Sequence, residues 1–182
     1  MDIASRVMAM PKEDLKAISL LLRANLESHA IATIYASIDR MAWLTSELEE
    51  SDSADFKRWA DEFLIVGEEF DFTSEDLWAA RCGLLHTGAA ESRDYRRNNA
   101  NLIYYKVKEE RSDAIVLDLI SPMLEQIGVS KDRVRFVDYF WLANRLIEAM
   151  SRFDDYLRSR ADICARAAIK ADRQISFQVI PD

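Results

Sequence analysis

Apolar positions recur at Leu15, Ile18, Leu22, Leu26, Ile34, Ile38 and Leu44 with no glycine or proline between them, the three-to-four spacing of an amphipathic helix. Pro11 followed by Lys12, Glu13 and Asp14 reads as its start, because proline suits the first helical turn and acids there offset the helix dipole. The pattern predicts one very long helix, or two joined by a kink near His29. Phe56, Trp59, Ala60, Phe63 and Leu64 repeat the spacing in a short second helix that ends at Gly67. Thr73, three residues before Asp76, forms a capping-box pattern with aspartate in place of glutamate, and opens a helix through Leu77, Trp78, Leu84 and Leu85 that should stop at Gly88.

Downstream the pattern changes. Ala89 to Asn99 is polar and reads as a loop. Leu102–Val107 and Ala114–Leu119 are β-branched or aromatic runs separated by the polar stretch Lys108–Asp113, which predicts a β-hairpin inserted over residues 101–120. Pro122 and Gly128 bracket a short turn or helix. Phe136, Phe140, Ala143, Ile147, Met150, Phe153 and Leu157 trace one stripe of a longer helix. Ser159–Asp172 reads as helical, and Ile175, Phe177 and Val179 alternate as a third strand beside the hairpin would. The expected fold is mainly α, an antiparallel helical bundle with a small β-hairpin insertion, in a single domain over residues 1–182.

Composition agrees with a globular helical chain: of 182 residues 49% are hydrophobic and 31% charged, with only 4 Gly and 3 Pro, which excludes a disordered chain or a loop-rich all-β fold. The net charge of −8 excludes a general nucleic-acid coat, which carries a basic face. The acids are concentrated. Between Glu47 and Asp76 twelve of them face only Lys57 and Arg58, a local balance of −10, so the rest of the chain stands at +2. Most of that run reads as one solvated face. A Mg²⁺ site built from Glu47, Glu50, Glu68, Glu69 and Asp71 is poorly supported by their spacing. Cys82 and Cys164 are too few for a disulfide framework or a zinc site, and the longest apolar run, near Ile31, is too short to span a bilayer. A cytoplasmic protein without membrane contact, metal or cofactor is expected.

The densest chemistry lies in Leu77–Gly88, which places Arg81, Cys82, Gly83 and one of only two histidines, His86, in one helix. Arg81 and His86 are five apart, roughly 140° around an ideal helix, so they do not share a face. They converge if His86 sits in a loosened last turn, or if two copies of the helix meet across a two-fold so that two Arg and two His line one cleft. Such a set suits metal-free phosphodiester cleavage. Imidazole can move protons at the ribose 2′-hydroxyl and at the leaving oxygen, while guanidinium stabilises charge at phosphorus. The plainer alternative pairs Arg81 with Asp76 or Glu75 and gives His86 a helix-capping role. Cys82 and His86, four apart, share a face and permit nucleophilic chemistry or half a metal site, against a packed small residue. Arg93, Arg96 and Arg97, with Tyr95 among them, form the one dense basic patch; guanidiniums could hold phosphates and the ring could stack on a base of single-stranded RNA, against a solvated loop. His29 reads as a core or boundary residue, and Trp43, Trp59, Trp78 and Trp141 as core.

The motif Arg81-Cys82-Gly83-Leu84-Leu85-His86, in a helix that begins Leu-Trp and ends His-Thr-Gly, resembles the signature of the HEPN superfamily. A long early helix with the stretch Ile34-Tyr35-Ala36-Ser37-Ile38-Asp39 is similar as well. The clear match covers about twelve residues. The resemblance implies a homodimeric, metal-independent endoribonuclease, a hydrolase-like toxin of a toxin–antitoxin pair or a defence effector, with Arg81 and His86 of both chains in the site. It equally admits a catalytically inactive RNA-binding or protein-interaction module. Cys82 departs from the Asn, Asp or His that often follows the arginine. The acidic run would then offer a docking surface for a basic partner such as an antitoxin.

Overall fold

The computed structural model describes residues 2–67, 69–87, 92–107 and 112–174, with the side chains of His86 and Thr87 excepted. It is mainly helical, with one small two-stranded parallel sheet. The elements are α1 (Ile3–Val7), α2 (Ala9–Arg23), α3 (Glu27–Thr45), α4 (Ser53–Trp59), α5 (Ser74–Thr87), α6 (Arg93–Arg96), β1 (Leu102–Lys106), α7 (Asp113–Gln126), β2 (Val134–Asp138), α8 (Tyr139–Ser159) and α9 (Ala161–Ala171). A π-helical turn, Ala60–Leu64, extends α4, and a 3₁₀ turn, Lys131–Arg133, precedes β2.

The first long pattern is two helices, and the break lies at Asn25, four residues before His29. Asn25 takes the left-handed conformation (φ 53°), which asparagine tolerates better than most residues. The short connection folds α3 back on α2, and Arg40 Nη1 meets Asp14 Oδ2 at 3.2 Å. Pro11 sits in the first turn of α2, where its missing N–H costs no bond. His29 is exposed, not a core residue. α3 lies at the centre of the body, in contact with α2, α4, α5, α8 and α9. Its buried side chains include Ile31, Ile34, Tyr35, Ile38, Met41 and Leu44.

The β-hairpin over 101–120 is not what forms. β1 does occupy the first run, but Ala114–Leu119 lies inside the fourteen-residue α7. The apolar positions continue at helical spacing through Ile120, Met123 and Leu124, and that length favours a helix over a strand; Pro122, expected to bracket a turn, lies inside the helix. β1 instead pairs in parallel with β2, Leu102 opposite Val134 through Lys106 opposite Asp138. Parallel strands require a long crossover, and α7 supplies it. The sheet packs against apolar side chains on both faces. Ile103 and Val137 join the main core, while Leu102 and Val134 join a second cluster with Tyr95, Leu124 and Val129. The third strand expected at Ile175, Phe177 and Val179 lies outside the described residues.

The stripe assigned to the later helix also needs correction. Phe136 belongs to β2, Phe140 and Ile147 are exposed, and the buried face of α8 is Leu142, Leu146, Ala149, Met150, Phe153 and Leu157. Trp59 is buried as expected, whereas Trp43, Trp78 and Trp141 are half-buried against the core.

Helix C-termini that end inside the molecule leave carbonyls without partners, and cationic side chains from distant elements meet them. Lys170 of α9 is buried and donates to the carbonyls of Trp43, Ser46 and Leu48 at 2.8, 2.9 and 2.7 Å, closing α3. Arg152 donates from Nε and Nη2 to the Phe63 carbonyl at 2.9 and 2.7 Å, and Arg145 donates to those of Leu64 and Val66, closing the π-helical turn. Replacing Lys170 with Met leaves three carbonyls unpaired around an apolar chain. The expected loss is roughly 3 kcal/mol, or about 6–12 °C in Tm for a chain of this size, measured by calorimetry.

Candidate functional site

α5 begins as its sequence directs. Asp76 Oδ2 accepts from Thr73 N at 2.9 Å, and Thr73 Oγ1 accepts from Asp76 N at 3.3 Å, the reciprocal bonds of a capping box. Asp76 is fully buried, because Oδ1 also accepts from Asn101 N at 2.6 Å and so ties the start of α5 to the entry of β1. Glu75 is engaged by Lys57, Nζ to Oε2 at 2.8 Å. Neither acid pairs with Arg81.

The partner of Arg81 is Asp39 of α3, forty-two residues earlier. Arg81 Nε donates to Asp39 Oδ2 at 2.7 Å, and Nη2 stands 2.6 Å from the same oxygen. The arginine side chain is 19% exposed and the aspartate 23%, so this pair is shielded far more than a surface ion pair. The guanidinium also lies over the Trp78 ring, 4.9 Å from its centroid, and Nη1 is 4.0 Å from Cys82 Sγ. Burial alone would lower the Arg81 pKa, but the hydrogen bond and charge of Asp39 raise it above the ordinary guanidinium value. Arg81 is a permanent cation in a fixed orientation.

One turn before Asp39, the Tyr35 hydroxyl is hydrogen-bonded to that of Tyr105 on β1. Both phenols are shifted up, by burial first. Tyr35 and Asp39 thus form a polar line on one face of α3, directed at β1 and α5.

Cys82 is half-buried. Burial pushes its thiol up, and the Asp94 charge adds to the shift while Arg81 opposes it. A thiol raised in this way is a weaker nucleophile near neutral pH. α5 remains helical through Thr87, so His86 lies in its last turn; the His86 side chain lies outside what is described.

Within the stretch expected as a loop, Ser92 caps the short helix α6, accepting from Tyr95 N at 3.1 Å. α6 packs against α5, close enough for Asp94 to act on Cys82. Arg93, Arg96 and Arg97 are exposed and make no ion pair among the described residues. Tyr95 is a correction: its ring is buried in the second cluster and lies beneath Arg133, 4.1 Å from guanidinium carbon to ring centroid, so it presents no face to a base. Arg133 further donates to the carbonyls of Tyr95, at 2.9 Å, and of Ala100, fixing this turn from beneath.

Asp39 is the site residue that had no assigned role. Its signal is a lone acid four residues after Tyr35 on the enclosed face of an apolar helix, a placement that demands a cationic partner. No group of His, Cys, Asp and Glu among the described residues has the arrangement of a metal site. No family model, curated protein or solved structure matches the chain.

Two tests follow from this geometry. In a double-mutant cycle, Arg81→Ala and Asp39→Asn each destabilise the fold, with a coupling of about 1–2 kcal/mol read from urea unfolding; additive losses would mean the pair contributes nothing. Raised phenol pKa values stabilise the folded state fully below the free-chain value of about 10, and that contribution is lost as pH climbs through the folded-state values. Absorbance titration at alkaline pH should leave two of the six tyrosines un-ionised until the chain unfolds. Titration of all six near the ordinary value would contradict the buried pair.

Proposed function

We propose that the chain is a HEPN-like, metal-independent endoribonuclease, cytoplasmic and homodimeric, in which the last turns of α5 from two copies, the antiparallel core elements of the bundle, form one cleft. The observation that carries this reading is the clamped Arg81: a permanent cation, half-shielded, held by Asp39 and Trp78 on the helix whose last turn bears His86. A catalytic guanidinium must be held in place before charge develops, and this one is. The exposed Arg93, Arg96 and Arg97 on adjacent α6 supply phosphate contacts; Tyr95 does not take part.

In this reading one His86 imidazole accepts the proton of a ribose 2′-hydroxyl as its oxygen bonds to phosphorus. Arg81 stabilises the added negative charge. The bond from phosphorus to the 5′-oxygen then breaks, and the imidazolium of the second copy returns a proton to that oxygen. The products are a 2′,3′-cyclic phosphate and a 5′-hydroxyl. A toxin or defence role, with a cognate antitoxin as partner, fits such an activity.

A second reading, a catalytically silent interaction module, is favoured by the two residues that turn out to be engaged internally, Arg81 with Asp39 and Tyr95 with Arg133. Incubation with a mixed-sequence single-stranded RNA in EDTA separates them. Cleavage to cyclic-phosphate ends, lost by at least a hundredfold in His86→Ala at unchanged Tm, supports the nuclease. Intact RNA with the wild-type protein, at concentrations where it is dimeric, supports the module.

A further inference from the structure

We infer that a cleft lined by the end of α3, α4 and α9 is a binding site for a free amino acid with an apolar side chain. Its volume is about 470 Å³, within the range of small-molecule sites. Trp59 and Phe63, with Tyr156 of α8 and Ile163 of α9, give it an apolar lining. Trp59 is only 1% exposed, and its indole N–H meets no acceptor among the described residues. The rings that pack on it, Phe63 and Phe153, offer none. A buried donor left unpaired is costly, and native proteins rarely keep one without a reason. The cleft that Trp59 lines is where an acceptor can be brought to it.

The walls are held in place by the fold itself. Lys170 fixes the turn after α3 through the carbonyls of Ser46 and Leu48, and Arg152 fixes the carbonyl of Phe63. Ser46, Leu48 and Phe63 all line the cleft. Glu62 and Phe63 belong to the π-helical turn, a geometry often found at functional sites, since its extra residue shifts side chains out of the α-helical register.

Charge selects the ligand. Asp52 is spent on capping α4, where Oδ1 accepts from Ala54 N and Asp55 N at 2.8 and 3.1 Å, and Asp55 is paired with Arg58 at 2.5 Å. Two groups of each sign are left in the lining: Glu47 and Glu62, Arg160 and Arg166, all exposed and none in an ion pair among the described residues. A ligand with only negative charge meets two unspent carboxylates, and one with only positive charge meets two unspent guanidiniums. A zwitterion has a partner for each end. Its carboxylate accepts from the guanidiniums and from the Trp59 N–H, and its ammonium donates to the glutamates. Its side chain then covers the apolar lining. A peptide terminus brings one of the two charges without the other. A phosphate monoester, with about two negative charges, is disfavoured because the lining as a whole sets four acids against three arginines.

The test uses the full ¹⁵N-labelled chain and three probes of one shape: L-phenylalanine, 3-phenylpropionate, which lacks the ammonium, and 2-phenylethylamine, which lacks the carboxylate. The 4 tryptophans give separate indole N–H signals, and that of Trp59 is assigned by its through-space contacts to Phe63 and Phe153. L-Phenylalanine should move the Trp59 signal saturably and bind roughly tenfold or more tighter than either single-charge probe. The exposed pair Arg160→Gln with Arg166→Gln should weaken it by about the same factor at unchanged Tm, and Glu47→Gln with Glu62→Gln should do likewise. Equal binding of a single-charge probe, or binding untouched by both pairs of substitutions, overturns the proposal. So does a Trp59 signal that stays unmoved up to roughly 10 mM L-phenylalanine, since ordered water alone then serves the indole.

Discussion

The enclosure of α3 is the constraint on which the other elements depend. A helix packed on by five others has little water available to its polar groups, so Tyr35, Asp39 and the carbonyls at its C-terminal end draw partners from whatever covers them. Tyr35 finds Tyr105 and so fixes β1. Asp39 finds Arg81 and so fixes the rotation of α5. The carbonyls at its C-terminal end find Lys170 and so fix α9. Apolar packing brings these elements together without direction; the polar contacts choose one register among the alternatives that a greasy helix surface would tolerate.

The same logic explains the unusual number of long-range bonds from cations to carbonyls. A helix C-terminus concentrates partial negative charge, and a guanidinium or ammonium arriving there meets both a hydrogen-bond deficit and a favourable field. Lys170, Arg145 and Arg152 act in this way on α3 and on the π-helical turn, and Arg133 acts likewise on the turn after α6. These residues are therefore committed to architecture. The arginines left exposed on α6 stand out by contrast, because no carbonyl or carboxylate among the described residues claims them.

Local signals in the sequence were legible and distant ones were not. The capping box at Thr73 and Asp76, the amphipathic stripes of α2 through α5 and the weight of helix overall follow from spacing alone. The break between the first two long helices falls at Asn25 rather than near His29, and spacing does not mark it because the apolar period runs through it unperturbed. Ala114–Leu119 misled because a short β-branched run has no period of its own; only its continuation to Ile127 and the parallel pairing of β1 with β2 resolve it as a crossover helix. For the site, proximity in sequence suggested Glu75 or Asp76 as the partner of Arg81, yet both are claimed by nearer duties at the helix start. Tyr95 looked accessible because it sits among charged residues, and nothing local shows that Arg133 covers it.

The sheet divides the molecule into two parts of different character. On one side the helices around α3 bury their apolar faces against each other, and Arg81 is locked by a neighbour. On the other, α7 covers the sheet with half of its surface and leaves the other half to solvent. Ile115, Leu119, Met123 and Ile127 are each about half exposed there, and completing their burial would be worth roughly 1 kcal/mol each, about 4 kcal/mol in all. That is less than the entropic cost of fixing one protein on another, so this apolar row alone does not hold a partner.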